Sequence, residues 1–355
     1  MERWMMAGSV RSLQCPVPTL THRQVLLGHG SGGRLMHDLI EAVFRPRLLP
    51  ADLTCLNDAA YFHVGDFRLA ITTDSFVVDP IFFPGGDIGR LAVHGTVNDL
   101  AVSGARPLVL SAAFILEEGF PIEDLERVVD SMREASAQVG VPILTGDTKV
   151  VQRGKCDRVF INTTGVGVLM TRRVLSADQA RPGDLILLNG DIAAHGIAIL
   201  AARGELELDT PIVSDTAPLH TFVEALLEGD PEVRCMRDLT RGGLASALHE
   251  IAQSSGVGIR IWEDRIPVRD EVRGVCEVLG LDPLHVANEG KLIAIVARED
   301  AEAVLTRMRA HPLGREAAII GEVVEDTRSM VLMKTQVGGF RVVDMLAGEQ
   351  LPRIC

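Results

Sequence analysis

Aromatic side chains are scarce, at 4% of the residues, with one tyrosine and two tryptophans in the chain. Bulky rings therefore cannot fill the core. Small aliphatics and 34 glycines must carry it, which suits an α/β protein with many tight turns. No apolar run reaches the roughly 18 residues of a membrane span. Residues 1–20 show no clear cleavage site, so no secretory signal is read there and the cytoplasm follows by default. Lysine is nearly absent, with four beside 31 arginines, and the net charge is −13, which excludes a nucleic-acid backbone as partner. No two of the six cysteines stand at C-x-x-C spacing, so no zinc signature is present. Five of them read as small core residues. Cys355 cannot, because it is the last residue.

At 355 residues the chain is long enough for two domains with ordinary cores. Residues 1–22 read as a disordered extension. In the span 23–171, Val25–Leu27 reads as a short strand, and a glycine loop leads into a helix from Arg34 to about Phe44. A strand runs over Arg68–Thr73 and ends at Asp74. Asp87 caps a helix carrying Leu91, Val93, Val97 and Leu100, which Gly104 and Pro107 stop. Leu108–Ile115 is a strand, and Pro121 opens a helix striped with Ile122, Leu125, Val128 and Met132. Val141–Leu144 is a strand ending in Gly146-Asp147, and Val159–Leu169 is another. The pattern breaks near residue 172. A second α/β unit, 172–343, carries strands at 184–188, 258–261, 292–297, 318–324 and 330–333, with helices near 193–203, 219–227 and 243–254. Residues 344–355 read as a mobile tail ending in a reactive cysteine.

Gly28, Gly30 and Gly33 match G-x-G-x-x-G, and backbone donors at such a helix start cradle phosphate. The match alone also fits a plain turn: Asp52 follows prolines rather than a clean second strand, and no Gly-Lys-Ser/Thr closes a P-loop. Asp58, Asp74, Asp99 and Asp147 stand beside small residues in Asn57-Asp58-Ala59-Ala60, Thr73-Asp74-Ser75, Asn98-Asp99-Leu100 and Gly146-Asp147-Thr148. Such carboxylates either converge on a hard cation with nucleotide phosphates or are separate turn and cap residues. A thiol at the end of a dozen extended residues reaches about 40 Å, enough for a carrier arm.

Taken together, HGSGGRL, NDAA, the block from Thr72 to Pro107, TGDTKVV, DLTRGGLA, NEGKL and the terminal PRIC resemble the HypE family of hydrogenase maturation factors. The NDAA, TTDS, NDL and GDT set is shared with the wider aminoimidazole-ribonucleotide synthetase (PurM-like) superfamily. The resemblance implies a two-domain α/β (α+β) fold whose N-terminal sheet domain binds ATP and dimerises. It implies ATP and Mg²⁺ as cofactors, with Asp58, Asp74, Asp99 and Asp147 handling metal and phosphates, and Gly30, Gly32 and Gly33 lying over the nucleotide. It implies that a HypF carbamoyltransferase loads Cys355, that ATP-dependent dehydration turns the thiocarboxamide into a thiocyanate, and that a HypC–HypD complex accepts the cyanide. Glu289 is then the candidate base, Lys149 a candidate for holding phosphate or the amide oxygen, and Arg241 a candidate for binding phosphate or the tail. Another kinase-like member of the superfamily, or a non-catalytic scaffold, would need no terminal cysteine.

Overall fold

The computed structural model describes residues 22–50, 53, 55–204, 211–348, 351 and 353–355. Most of the extension expected over 1–22, and Asp52, lie outside them. Two sheets organise the chain. The first is built from β1 (Ala60–Val64), β2 (Phe67–Phe76), β5 (Ala105–Glu117), β6 (Ile143–Val151) and β7 (Val159–Leu169), in the order β1-β2-β7-β5-β6. A small ribbon, β3 (Phe82–Phe83) with β4 (Gly86–Asp87), follows β2. Only β5 and β6 run parallel; the other pairs are antiparallel.

Helices cover one face of this sheet. Asp87 caps α3 (Ile88–Val102), its Oδ1 accepting from Gly89 N at 2.8 Å and Arg90 N at 3.0 Å. The helix is apolar nearly all round because it is buried on nearly every side. Ile88, Leu91 and Val97 pack with Phe76, Leu110 and Ile161 of the sheet and with Val128 and Met132 of α4 (Ile122–Val139). The opposite face stays open: Ile71 is 39% and Ile115 44% exposed, and the edge strand β6 is exposed along nearly its whole length.

The second sheet has seven strands in the order β14-β13-β10-β12-β8-β11-β9. They are β8 (Leu185–Leu188), β9 (Val233–Asp238), β10 (Gly258–Trp262), β11 (Leu292–Val296), β12 (Ala318–Val324), β13 (Val331–Lys334) and β14 (Phe340–Val343). Its central strands are buried on both faces, so Leu185-Ile186-Leu187-Leu188 reads as an unbroken apolar run. Ile186 and Leu188 pack on Leu244 and Leu248 of α7 (Gly243–Ser255), while Leu185 and Leu187 face Phe222, Val304 and Met308.

Several local expectations change. Val25–Leu27 is not a strand; a 3₁₀ turn spans Leu27–Gly30 instead. The strand expected to end at Asp74 continues to Phe76, and the one expected over 141–144 is Ile143–Val151, with Asp147 in its middle. Threonine, glycine and aspartate mimic a turn there, and an exposed edge strand lacks the apolar alternation that would expose the mistake. The end of the tail is docked rather than free: Ile354 and Cys355 are buried. No helix among the described residues is long and apolar enough to cross a membrane.

Candidate active site

Four carboxylates meet where the sheets approach each other. Asp58 precedes β1, Asp74 lies near the end of β2, Asp99 sits in the last turn of α3, and Asp238 ends β9. One oxygen from each of Asp58, Asp99 and Asp238 lies within 4.8 Å of the others. Thr72 Oγ1 is 2.8 Å from both the Asp58 carbonyl and the Asp99 carboxylate, so its proton serves one at a time. Arg237 pairs with Asp58 at 2.5 Å and also with Glu250. Burial pushes all four aspartates above the usual carboxylate range, and mutual repulsion drives Asp99 and Asp238 furthest. A converging acidic set that Arg237 only partly neutralises fits a divalent cation held with phosphate.

This acidic cavity, of about 220 Å³, is also lined by Gly32, Met36, Thr240, Arg241 and Gly243. Close backbone packing forms that wall. Gly32 has φ +75°, and a Cβ there would fall 2.6 Å from the Arg241 carbonyl carbon. Gly33 abuts the Leu346 carbonyl, Ser246 Oγ donates to Gly32 O at 2.9 Å, and Arg241 Nη1 donates to Gly30 O at 3.2 Å. The glycine loop is thus clamped against the Thr240-Arg241-Gly242-Gly243 turn of the other half.

Arg241 also lines a second cavity of about 180 Å³, which Ser31, His285, Ile354 and Cys355 share. The carbonyls of Arg353 and Cys355 accept from Asp79 N at 3.1 Å and Val77 N at 2.9 Å. Burial pushes the Cys355 thiol up, opposed by the Arg241 guanidinium, which is 3.9 Å from Asp74. Glu289 is 3% exposed, and one of its carboxylate oxygens has no hydrogen-bond partner. Burial first, then Asp238, Asp74 and Asp215, push it well above the ordinary glutamate range. Asn288 fixes its backbone by donating to Leu239 O at 2.9 Å and accepting from Ala193 N at 2.7 Å. Asn98, beside Asp99, accepts from Leu219 N at 2.7 Å and donates to Glu289 O at 3.3 Å, tying α3 to the same corner.

The fold therefore brings together Asp58, Asp74, Asp99, Gly30, Gly32, Gly33, Arg241, Glu289 and Cys355. It does not bring Asp147 or Lys149 to them within one chain. Through cross-strand partners Ala113 and Asn162, Asp147 shares a sheet face with Ser75, the face opposite Asp74. Three strand spacings, about 14 Å, separate it from Ser75. Asp147 is 62% exposed and pairs with Lys149 at 2.6 Å, which holds its carboxyl below the usual range. Sequence reasoning missed Asp238, whose signal was its place at the head of DLTRGGLA. It also missed Arg237 and His195, whose imidazole reaches the Ile354 carbonyl at 2.9 Å. His29 is buried against Leu26, and His94 is a core residue lowered to about 3 by burial; neither joins the site.

Comparison with known proteins gives a consistent picture. Family models for the AIR synthase related protein match residues 56–169 with the N-terminal domain and 181–334 with the C-terminal domain. The carbamoyl dehydratase HypE of Azotobacter vinelandii is 57% identical over 336 residues, 95% of this chain and 98% of that protein. Among solved structures, a chain of the HypE–HypF complex is 49% identical with TM-score 0.82, covering 87% of this chain and 99% of its own. HypE in complex with ATP is 50% identical with TM-score 0.79, covering 94% and 100%.

Proposed function

The chain belongs to the carbamoyl dehydratase HypE family, ATP-using enzymes of hydrogenase maturation, and from that premise we propose that its substrate is its own C-terminus. On this reading HypF loads a carbamoyl group on Cys355, and the enzyme dehydrates the thiocarboxamide to a thiocyanate. A HypC–HypD complex takes the cyanide for the iron of a [NiFe] hydrogenase. The observation that carries the reading is that the terminal thiol and the buried carboxylates line two cavities that meet at Arg241, which lines both.

The chemistry requires an oxygen to leave an amide carbon. The amide oxygen attacks the γ-phosphorus, ADP departs, and one N–H proton is lost, giving an O-phosphorylated thioimidate. The C–O bond then breaks, phosphate leaves, and the second N–H proton is lost as the C≡N bond forms. Both protons come off nitrogen, so a base must sit beside it. Glu289, with raised proton affinity and a free buried oxygen, suits that task. Arg241, which lines both cavities, would orient the amide oxygen or the transferred phosphoryl group. Asp58, Asp99 and Asp238, with Asp74 beside them, would hold Mg²⁺, which when bound neutralises charge on the triphosphate.

The division into 23–171 and 172–343 puts this site at the junction of the halves. The open sheet face and exposed edge strand β6 support a homodimer built on the first sheet. In that arrangement Asp147 and Lys149, remote from their own site, serve the partner subunit's site.

The test is the mass of the C-terminal peptide after incubation with HypF, carbamoyl phosphate and ATP. Loading should add one carbamoyl mass to Cys355, and ATP should then remove the mass of one water. A carbamoyl group on Cys55 or Cys156 would overturn the proposal.

A further inference from the structure

A carrier tail that docks and leaves again needs a groove that holds its backbone, because backbone groups buried without partners oppose docking. The 77–79 strip takes the carbonyls of Arg353 and Cys355. The Ile354 carbonyl between them is met instead by a side chain. His195 Nε2 lies 2.9 Å from it.

The hydrogens of this contact can be assigned. A carbonyl only accepts, so Nε2 carries the proton and donates, and Nδ1 of the neutral ring accepts. Ser214 Oγ, 2.8 Å from Nδ1, is then the donor to it. Ser214 Oγ in turn accepts from Thr216 N at 3.1 Å and from Thr216 Oγ1 at 2.6 Å. Burial keeps the imidazole neutral by lowering its pKa to about 4. Phe83 packs on the ring in a T-shaped contact, with centroids 5.6 Å apart. Ser214 is itself pinned by donating its N–H to Pro84 O at 2.8 Å. His195 stands near the start of α5 (Ala194–Ala202), whose preceding residue Ala193 donates to Asn288, the neighbour of Glu289. One backbone corner thus places both the candidate base and a side chain that grips the tail, while Arg203 Nη2 donates to the Arg353 carbonyl at 2.9 Å.

We propose that His195, locked in one tautomer by Ser214 and Thr216, is a positioning residue that seats the chain end. By holding the Ile354 carbonyl it fixes where the Cys355 thiol stands relative to Arg241 and Glu289, and it governs how long the tail stays docked. That a carbamoyl group is what it presents rests on the reading above; the grip itself does not.

Full-length protein is pulsed with iodoacetamide, and each cysteine peptide is quantified by mass spectrometry. Cys235 and Cys276, each 1% exposed, report on folding. His195→Leu leaves the buried Ile354 carbonyl without its donor, so Cys355 should label about tenfold faster while the two reference thiols stay protected. His195→Gln keeps an N–H donor and a group to accept from Ser214, and should return labelling to near the wild-type rate. Equal Cys355 labelling in wild type and His195→Leu overturns the proposal, as does a glutamine variant indistinguishable from leucine. If His195→Leu also exposes Cys235 and Cys276, Ser214→Ala decides: unchanged Cys355 labelling there overturns the tautomer lock. The assay uses neither HypF nor ATP, so its outcome is separate from whether carbamoyl lands on Cys355.

Discussion

Replacing Asp238 with asparagine should make the metal-free protein more stable and make it unresponsive to magnesium. At a separation of 4.8 Å, two carboxylates in an effective dielectric of about 20 repel by about 3.5 kcal/mol. Asp238 faces two such neighbours, Asp58 and Asp99. Arg237 and partial protonation offset much of that cost, leaving a net gain of about 1–2 kcal/mol for the amide, or a rise of about 1–3 °C in Tm. The sign with pH follows from the direction of the shifts. A carboxyl whose proton affinity is raised on folding favours the native state most below the ordinary carboxylate pKa, and loses that contribution as pH rises through its folded value. The variant's advantage should therefore be small at pH 5 and largest at pH 8. Thermal melts of both proteins at each pH, with and without MgCl₂ and ATP, read all three effects. A variant that melts below wild type without metal, yet gains as much from Mg·ATP, would refute the convergence of these carboxylates on a cation.

Asp147→Asn and Asp74→Asn should each abolish ATP turnover, yet a mixed sample should recover about a quarter of the wild-type rate, because half the dimers are mixed and each carries one intact site; no recovery in dimers confirmed by size would place Asp147 outside the partner's site. Glu289→Gln should keep ATP binding but slow dehydration by about 10²-fold or more, and the rise in rate with pH as the base deprotonates should vanish; an unchanged pH profile would acquit Glu289 as base. Cys355→Ala should bind ATP with wild-type affinity by calorimetry and form no thiocyanate, and thiocyanate found on another cysteine would remove the tail from the mechanism.

The motif run from HGSGGRL to PRIC was enough to identify the family and the two-domain plan, and to pick Asp58, Asp74, Asp99, Glu289, Arg241 and Cys355. Asn98, quoted only as the neighbour of Asp99, proved to be the residue that binds α3 to the Glu289 corner. Local chemistry determined much of the rest: a capping aspartate before α3, a glycine after α4, and apolar runs long enough for a strand buried on both faces. What needed the tertiary structure was every relation between residues distant in the chain. Asp238 joins Asp58 only because β9 ends against the first half; the DLTRGGLA motif that it heads does not say which carboxylates it will meet. Asp147 is separated from Asp74 by strand parity, a property of the cross-strand register that the turn-like residues around it conceal. His195 meets the last peptide of the chain 159 residues away, through a main-chain carbonyl that carries no sequence signal at all.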